Sequence, residues 1–250
     1  MSNAFGSLCD DFSVEMYINT ELDLPTDRDM VLSFFERIQK QFPPMGNFFR
    51  RDNGELCLEE DRDSGKYRWV SLEIDRLGSG CADPENLADA YELDRLVIEL
   101  MPYMLGVSHL DVDSLDVGFV LDFDYRGNHD EVIADALFAG SAFVALLDLP
   151  NSKAVGYSPT VLVSLSDDCR LQARISVESK TSAYEIRRED YKAEDAITLY
   201  FTIRQYPAPG QKFDVLASFQ NQCRIAEELM AEKIFPAFVK PLASAIAQRR

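Results

Sequence analysis

Val120-Leu121-Asp122-Phe123-Asp124 is an apolar run that ends in two carboxylates separated by one residue. Two carboxylates at that spacing share one face of a strand, where they could hold a divalent cation. Counted as a calcium loop from Asp122, the run puts Asp124 third and Gly127 sixth, as an EF-hand requires. Arg126 then stands fifth, and Ile133 occupies the twelfth position, where a bidentate glutamate belongs. The acidic run from Glu59 to Asp63 fails the same count, because Val70 or Leu72 falls where its last ligand should be.

The other reactive residue types form no recognisable constellation. His109 and His129 lie at metal-ligand spacing from neither a cysteine nor each other. His129, in the first turn of a helix, is expected to be exposed. A loose carboxylate site would combine Asp122, Asp124, Asp130 and His129. Cys9, Cys57, Cys81, Cys169 and Cys223 are scattered and odd in number, without a C-x-x-C pair, so neither a disulfide framework nor a zinc cluster is expected. Gly78-Ser79-Gly80 lacks the strand-to-helix spacing of a phosphate loop and reads as a turn. No cofactor is expected.

A recognition surface emerges more readily. Side chains two apart on a strand share a face. Arg170, Gln172, Arg174, Ser176 and Glu178 therefore point together, as do Thr198, Tyr200, Thr202 and Arg204, and Asp122 with Asp124. If these strands are neighbours, guanidinium groups, carboxylates and a tyrosine hydroxyl share an open sheet face. Guanidinium forks suit carboxylate or phosphate groups, and tyrosine is favoured at interfaces. In the first half Tyr17, Tyr67 and Trp69, the single tryptophan, supply an aromatic patch on the corresponding face.

The elements that carry these residues follow one plan twice. Val14, Met16 and Ile18 alternate with polar residues, as Val117, Phe119, Leu121 and Phe123 do later. Each run leads into a helix start, Thr26-x-x-Asp29 and then Asn128-x-x-Glu131, read as capping boxes. Hairpin signals follow, with Asn53-Gly54 marking the first turn. Asp83-Pro84-Glu85 opens a closing helix in the first half, and a helix from about Asp214 closes the second, with Pro236 and Pro241 bending or breaking its tail. The expectation is an α+β protein of two similar β-α-β-β-β-α halves, residues 1–110 and 111–250, forming a curved antiparallel sheet backed by helices. A helix-grip fold or two ferredoxin-like domains are the alternatives. The second half is longer because of loops at 150–158 and 179–196, the latter able to cover the sheet.

Over roughly residues 12–239 this order and duplication resemble the saddle of TATA-box-binding-protein-like folds. The resemblance implies the architecture and no function. The family's DNA-binding saddle carries apolar and basic side chains, whereas here the strands present Glu15, Asn19, Glu59, Glu73, Asp122 and Asp124. The Asp-x-Asp run looks like the first motif of haloacid-dehalogenase-type phosphotransferases. It departs from that motif at Arg126, and from that fold in the hairpins that follow.

Composition sets the outer bounds. Lys plus Arg number 25 against 43 Asp plus Glu, a formal charge of −18 that repels nucleic acid and acidic membranes and favours basic partners. The first twenty residues carry no Lys or Arg, and no apolar run approaches a membrane span, so a cytoplasmic setting is expected. Ser2-Asn3-Ala4 carries no functional weight. The expected role is a non-enzymatic protein-binding module whose acidic surface engages a basic partner, with homo-oligomerisation possible. The alternative is a metal-dependent phosphohydrolase or small-molecule-binding protein using Asp122 and Asp124. Binding residues are expected among Tyr17, Tyr67, Trp69, Asp122, Asp124, Arg170, Arg174, Tyr200 and Arg204.

Overall fold

In the computed structural model, which describes residues 5–249, nine antiparallel strands form one open sheet. Ser2-Asn3-Ala4 lies outside the described residues. The first half runs β1 (Asp11–Thr20), α1 (Arg28–Gln41), β2 (Asn47–Arg50), β3 (Leu56–Glu59), β4 (Tyr67–Leu72), β5 (Arg76–Ala82) and α2 (Leu87–Met104). The second runs β6 (Val112–Asp124), α3 (His129–Leu137), β7 (Thr160–Ser164), β8 (Leu171–Glu178), α4 (Ala183–Arg188), β9 (Ala196–Gln205), α5 (Val215–Leu229) and α6 (Lys240–Ala247). The strand order is β2-β3-β4-β5-β1-β6-β9-β8-β7. The first strand of each half thus lies at the centre, where β1 and β6 pair from Asp11 opposite Asp122 to Thr20 opposite Val112. One continuous sheet results, in place of two ferredoxin-like ones.

The two halves are alike but not identical. The first has four strands after its helix, one more than the sequence pattern suggests. Gly78-Ser79-Gly80 is not a turn; it lies inside β5, paired with β1 and β4 at once. The run from Tyr67 ends at Leu72, and Glu73 N–H donates to the Arg76 carbonyl at 2.9 Å to close a tight hairpin with Ile74 exposed at its tip. At the Asn53-Gly54 hairpin only Gly54 has positive φ (95°). A turn followed by one left-handed residue closes that loop, with Gly54 N–H on Arg51 O and Arg51 N–H on Glu55 O.

Helix starts shift in the same way. Asp27, not Thr26, caps α1, its carboxylate accepting from Asp29 N–H and Met30 N–H at 3.1 Å. A charged acceptor at the positive end of the helix outcompetes the neighbouring hydroxyl. Asn86, not Asp83, caps α2. Asp83 instead adopts φ 44° and accepts from the Phe12 N–H at 3.0 Å, tying the end of β5 to the start of β1. Asn128 caps α3 as expected, accepting from Asp130 N–H while its amide donates to Glu131. That helix stops at Leu137, ahead of Gly140 at φ 77°, so Val144, in a short 3-10 turn (Ala142–Val144), and Leu147 lie beyond it.

One face of the sheet is covered by helices. Phe12, Val14, Met16 and Ile18 of β1, and Leu115, Val117, Phe119, Leu121 and Phe123 of β6, are buried on that side. Ile197, Leu199, Phe201 and Ile203 of β9 continue the same layer. α2 packs over β5 and β1, α5 over β6 and β9, and the two helices touch through an edge-to-face contact of Tyr91 with Phe219. Burying a large apolar side chain stabilises by about 1.5–3 kcal/mol, so this layer supplies most of the driving force for folding. Buried polar groups within it are paired across elements. Gln222 of α5 donates to the Leu115 and Ile203 carbonyls at 2.7 and 2.9 Å, and Asp94 of α2 accepts from Ser79 of β5 at 2.5 Å.

The long C-terminal helix neither breaks nor ends at Pro236. Residues Met230–Val239 widen to π turns, in which the Lys240 N–H reaches back to the Phe235 carbonyl. The wider register absorbs a proline that an α-helix interior would not tolerate. The helix then resumes as α6, with Pro241 in its first turn. Among the described residues no helix is long and apolar enough to cross a membrane.

Candidate functional site

Among the described residues the opposite face of the sheet carries no helix, and a single register row crosses it on all nine strands. From β2 to β7 it reads Asn47, Glu59, Trp69, Gly80, Glu15, Gly118, Thr202, Arg174 and Leu162. The adjacent row contributes Tyr17, Asp116 and Arg204, which pair across β1, β6 and β9. A cleft of about 530 Å³ opens around Gly118, with Tyr17 and Arg76 on one side and Arg174, Tyr200, Arg204 and Tyr206 on the other.

Glycine has two different jobs in these rows. A Cβ at Gly80 would stand 2.6 Å from the Val14 carbonyl and 2.8 Å from the Trp69 ring, and one at Gly78 would stand 2.9 Å from Tyr17. Those glycines exist so that the two aromatic rings can lie flat across β5. At Gly118 the nearest atoms would be 3.4 Å away, so packing does not demand glycine there. Its effect is to leave the cleft floor empty.

The first-half wall is a packed stack. Tyr17 and Trp69 have ring centroids 5.9 Å apart, and the Arg76 guanidinium lies 4.6 Å over the Tyr17 ring while also pairing with Glu73 at 2.6 Å. The Tyr17 hydroxyl donates to Glu15 at 3.2 Å. Burial pushes the Glu15 carboxyl up from its ordinary value, against the lowering pull of Tyr17 and Arg76. It also pushes the Tyr17 phenol up. These groups are fixed by one another, with Trp69 as support behind the wall.

Arg204 is equally fixed. Its Nε and Nη2 donate to the two carboxylate oxygens of Asp116 at 2.6 and 2.5 Å, and its guanidinium faces the Tyr206 ring. Asp116 is nearly buried, with Asn19 as a further donor at 3.4 Å. Removing the arginine therefore strands a carboxylate, whereas removing the aspartate releases a half-exposed guanidinium to water. Arg204→Ala is expected to cost about 2 kcal/mol of unfolding free energy and Asp116→Ala about 1, with the double variant below their sum. Urea unfolding of the three variants checks this.

Arg174 differs. It is exposed, it sits between Thr202 and Leu162, and among the described residues no hydrogen bond or ion pair holds it. A guanidinium free over a cleft whose other charges are satisfied is the group most available to an incoming ligand.

The structure gathers Tyr17, Arg174, Tyr200 and Arg204 around this cleft and leaves the other candidates outside it. Tyr67 is half-buried under the Arg62 guanidinium. Arg170 precedes β8 and is spent on the Pro207 carbonyl at 2.5 Å. Asp122 accepts the Thr198 hydroxyl at 2.5 Å, and Asp124 follows at the rim. Together with Asp10, Asp11 and Asp83 they form an acidic end to the sheet. There, burial and then the neighbouring carboxylates push the Asp11 carboxyl up. Among the described residues no group of three or more His, Cys, Asp or Glu side chains is placed to hold a metal ion.

His129, expected at the surface, is buried. Its Nε2 meets the Tyr125 carbonyl at 2.8 Å and its Nδ1 faces the Lys180 N–H at 3.4 Å. Burial lowers its pKa. It is a tie between α3 and the 179–196 segment, which holds α4 under a Ser182–Glu185 capping box and lines no part of the cleft. Asp116 and Gly118 are the site residues that side-chain chemistry alone does not announce. Asp116 is signalled only by its place in the alternation of β6, two before Gly118.

No protein-family model and no curated protein matches the chain.

Proposed function

We propose that the protein is a non-enzymatic binding module that holds a segment of another protein along the open face of its sheet. The observation that carries this reading is the Gly118 cleft. It lies in the middle of a helix-free face, with every cleft charge paired or buried except that of Arg174. Tyr17, Tyr200 and Tyr206 offer flat, amphipathic contact at low entropic cost, as interfaces favour. Arg174 suits a main-chain carbonyl or carboxylate of the segment. The carboxylates beyond the cleft at one end of the sheet, Asp11, Asp122 and Asp124, favour basic residues in the flank of the partner that lies there.

The phosphohydrolase alternative has less support. Asp122 and Asp124 lie on a central antiparallel strand outside the cleft, and Asp122 is already engaged by Thr198.

Random peptides displayed on phage and panned against the full chain test the proposal, with Gly118→Leu as the counter-selecting control. The Cβ added here makes only ordinary contacts, 3.4 Å to Phe201 O and Thr202 Oγ1, at the floor of the cleft. Enrichment of Lys- and Arg-containing peptides on the wild type over the control is expected. Equal recovery on both proteins would refute a ligand in the cleft. Arg174→Ala is expected to weaken an enriched peptide by about 10–100-fold, the loss of a charge-assisted hydrogen bond.

A further inference from the structure

From the free edge at β7 we infer that two copies of this chain associate by antiparallel pairing of β7 with its symmetry mate about Leu162. Edge strands are ordinarily guarded by charge, proline or a bulge. The opposite edge is guarded by charge: β2 ends in Arg50. β7 has no such charge, and Pro159 just before it is turned toward β8, not toward the free edge. From Thr160 to Leu165 there is neither charge nor proline, and the register with β8 is unbroken from Thr160 to Ser164. All five strand residues are exposed, Val161 at 49%, Leu162 at 59% and Val163 at 46%. In a chain of net charge −18 this is an unusually neutral and apolar edge.

The sequence of the strand identifies its occupant. Thr160-Val161-Leu162-Val163-Ser164 reads nearly the same in both directions about Leu162. A two-fold axis at Leu162 therefore sets Thr160 against Ser164 of the second copy, Val161 against Val163, and Leu162 against itself. An isologous contact requires that kind of self-complementarity. Backbone polarity agrees with it. Val177 N–H donates to Pro159 O and Leu165 N–H to Leu171 O, so the odd-numbered residues of β7 turn their backbone groups to β8. Thr160, Leu162 and Ser164 then point their N–H and C=O groups outward, and pairing about Leu162 makes all three hydrogen-bonded positions. Like apolar side chains meet on both faces, and no like charges oppose. Leu162 also lines the Gly118 cleft, so the second copy extends that wall and the two clefts face the same way on one larger sheet.

Sedimentation equilibrium of the full chain tests this association. The wild type is expected to show twice the 28.3 kDa chain mass at micromolar concentration, more completely as salt screens the two acidic bodies. Leu162→Lys places two ammonium groups face to face at the axis and is expected to sediment as a monomer, with the urea midpoint that the wild type shows once diluted below its dimerisation range. Leu162→Cys in a Cys169→Ser background supplies a second readout. Mild oxidation is expected to cross-link it, while a cysteine at exposed Leu110 gives no cross-link. A wild type of single-chain mass throughout the concentration range would overturn the inference. So would a dimer that survives Leu162→Lys, or cross-linking no stronger at position 162 than at 110.

Discussion

Gly80→Ala is expected to destabilise the protein by about 3 kcal/mol or more, while the same substitution at Gly118 changes stability by less than about 1 kcal/mol, in the stabilising direction. Both glycines lie in one register row, only two strands apart, flanking Glu15 of β1. The added methyl at Gly80 meets the Val14 carbonyl at 2.6 Å, a backbone atom of the neighbouring strand that cannot move without opening the β1–β5 ladder. Trimming Trp69 to valine is not expected to rescue it, because the ring at 2.8 Å is the more distant obstacle. At Gly118 the methyl rests 3.4 Å from Phe201 O and Thr202 Oγ1 and restricts only the unfolded chain. Urea unfolding of the two variants decides the matter. Equal losses would mean that the empty cleft floor is a packing requirement and not a feature of a binding site.

Asp94→Asn is expected to stabilise the protein above pH 7 by on the order of 4 kcal/mol at most, and to leave it nearly unchanged at pH 4. Asp94 is buried against β5, with one oxygen on the Ser79 hydroxyl and the other without a partner. Burial pushes its carboxyl up to about 7, against the lowering effects of Ser79 and Arg95, with Glu15 adding to the rise. The folded protein therefore keeps a proton that the unfolded chain releases from its ordinary value of 3.8. Where the native state binds more protons, stability falls as pH rises. The contribution is thus intact below about pH 4, is lost progressively toward pH 7, and stays lost above it. Asparagine keeps an acceptor for Ser79 and removes the charge. Glu15 and Asp11 tilt the curve in the same direction, and His129 opposes them at acid pH. All three persist in the variant, so the difference between the two curves isolates Asp94. A constant offset from pH 4 to pH 8 would show that Asp94 is not the titrating group.

The architecture was legible because it rests on period-two apolar alternation, which Val14-Met16-Ile18 and Val117-Phe119-Leu121-Phe123 carry without interruption. β5 was not, since its strand reads Arg-Leu-Gly-Ser-Gly-Cys-Ala and its glycines mimic a turn. They are there because Tyr17 and Trp69 from two other strands cover them, which is a fact of tertiary packing. That Asp83 and Thr26 do not cap their helices has a related cause. Several adjacent side chains can cap, and the neighbouring strand or the helix field chooses among them. Alternation placed Tyr17, Arg174, Tyr200 and Arg204 on one face, and they do share a cleft. It also put Arg204 beside Asp122 and Asp124, whereas register pairs it with Asp116. Strand order and register are long-range properties, and a one-residue slip moves every side chain to the other face. The burial of Asp94, Gln222 and His129 is not legible in sequence because each is paired with a residue of another element that only the fold brings against it.

The affinity of one enriched peptide, measured by fluorescence polarisation on the wild type and on Gly118→Leu, tests the binding reading most directly. The open-face account predicts at least a tenfold loss in the variant, with the urea midpoint retained, and weakening of the wild-type complex as salt rises. Equal affinity of the two proteins would place the ligand elsewhere and contradict it.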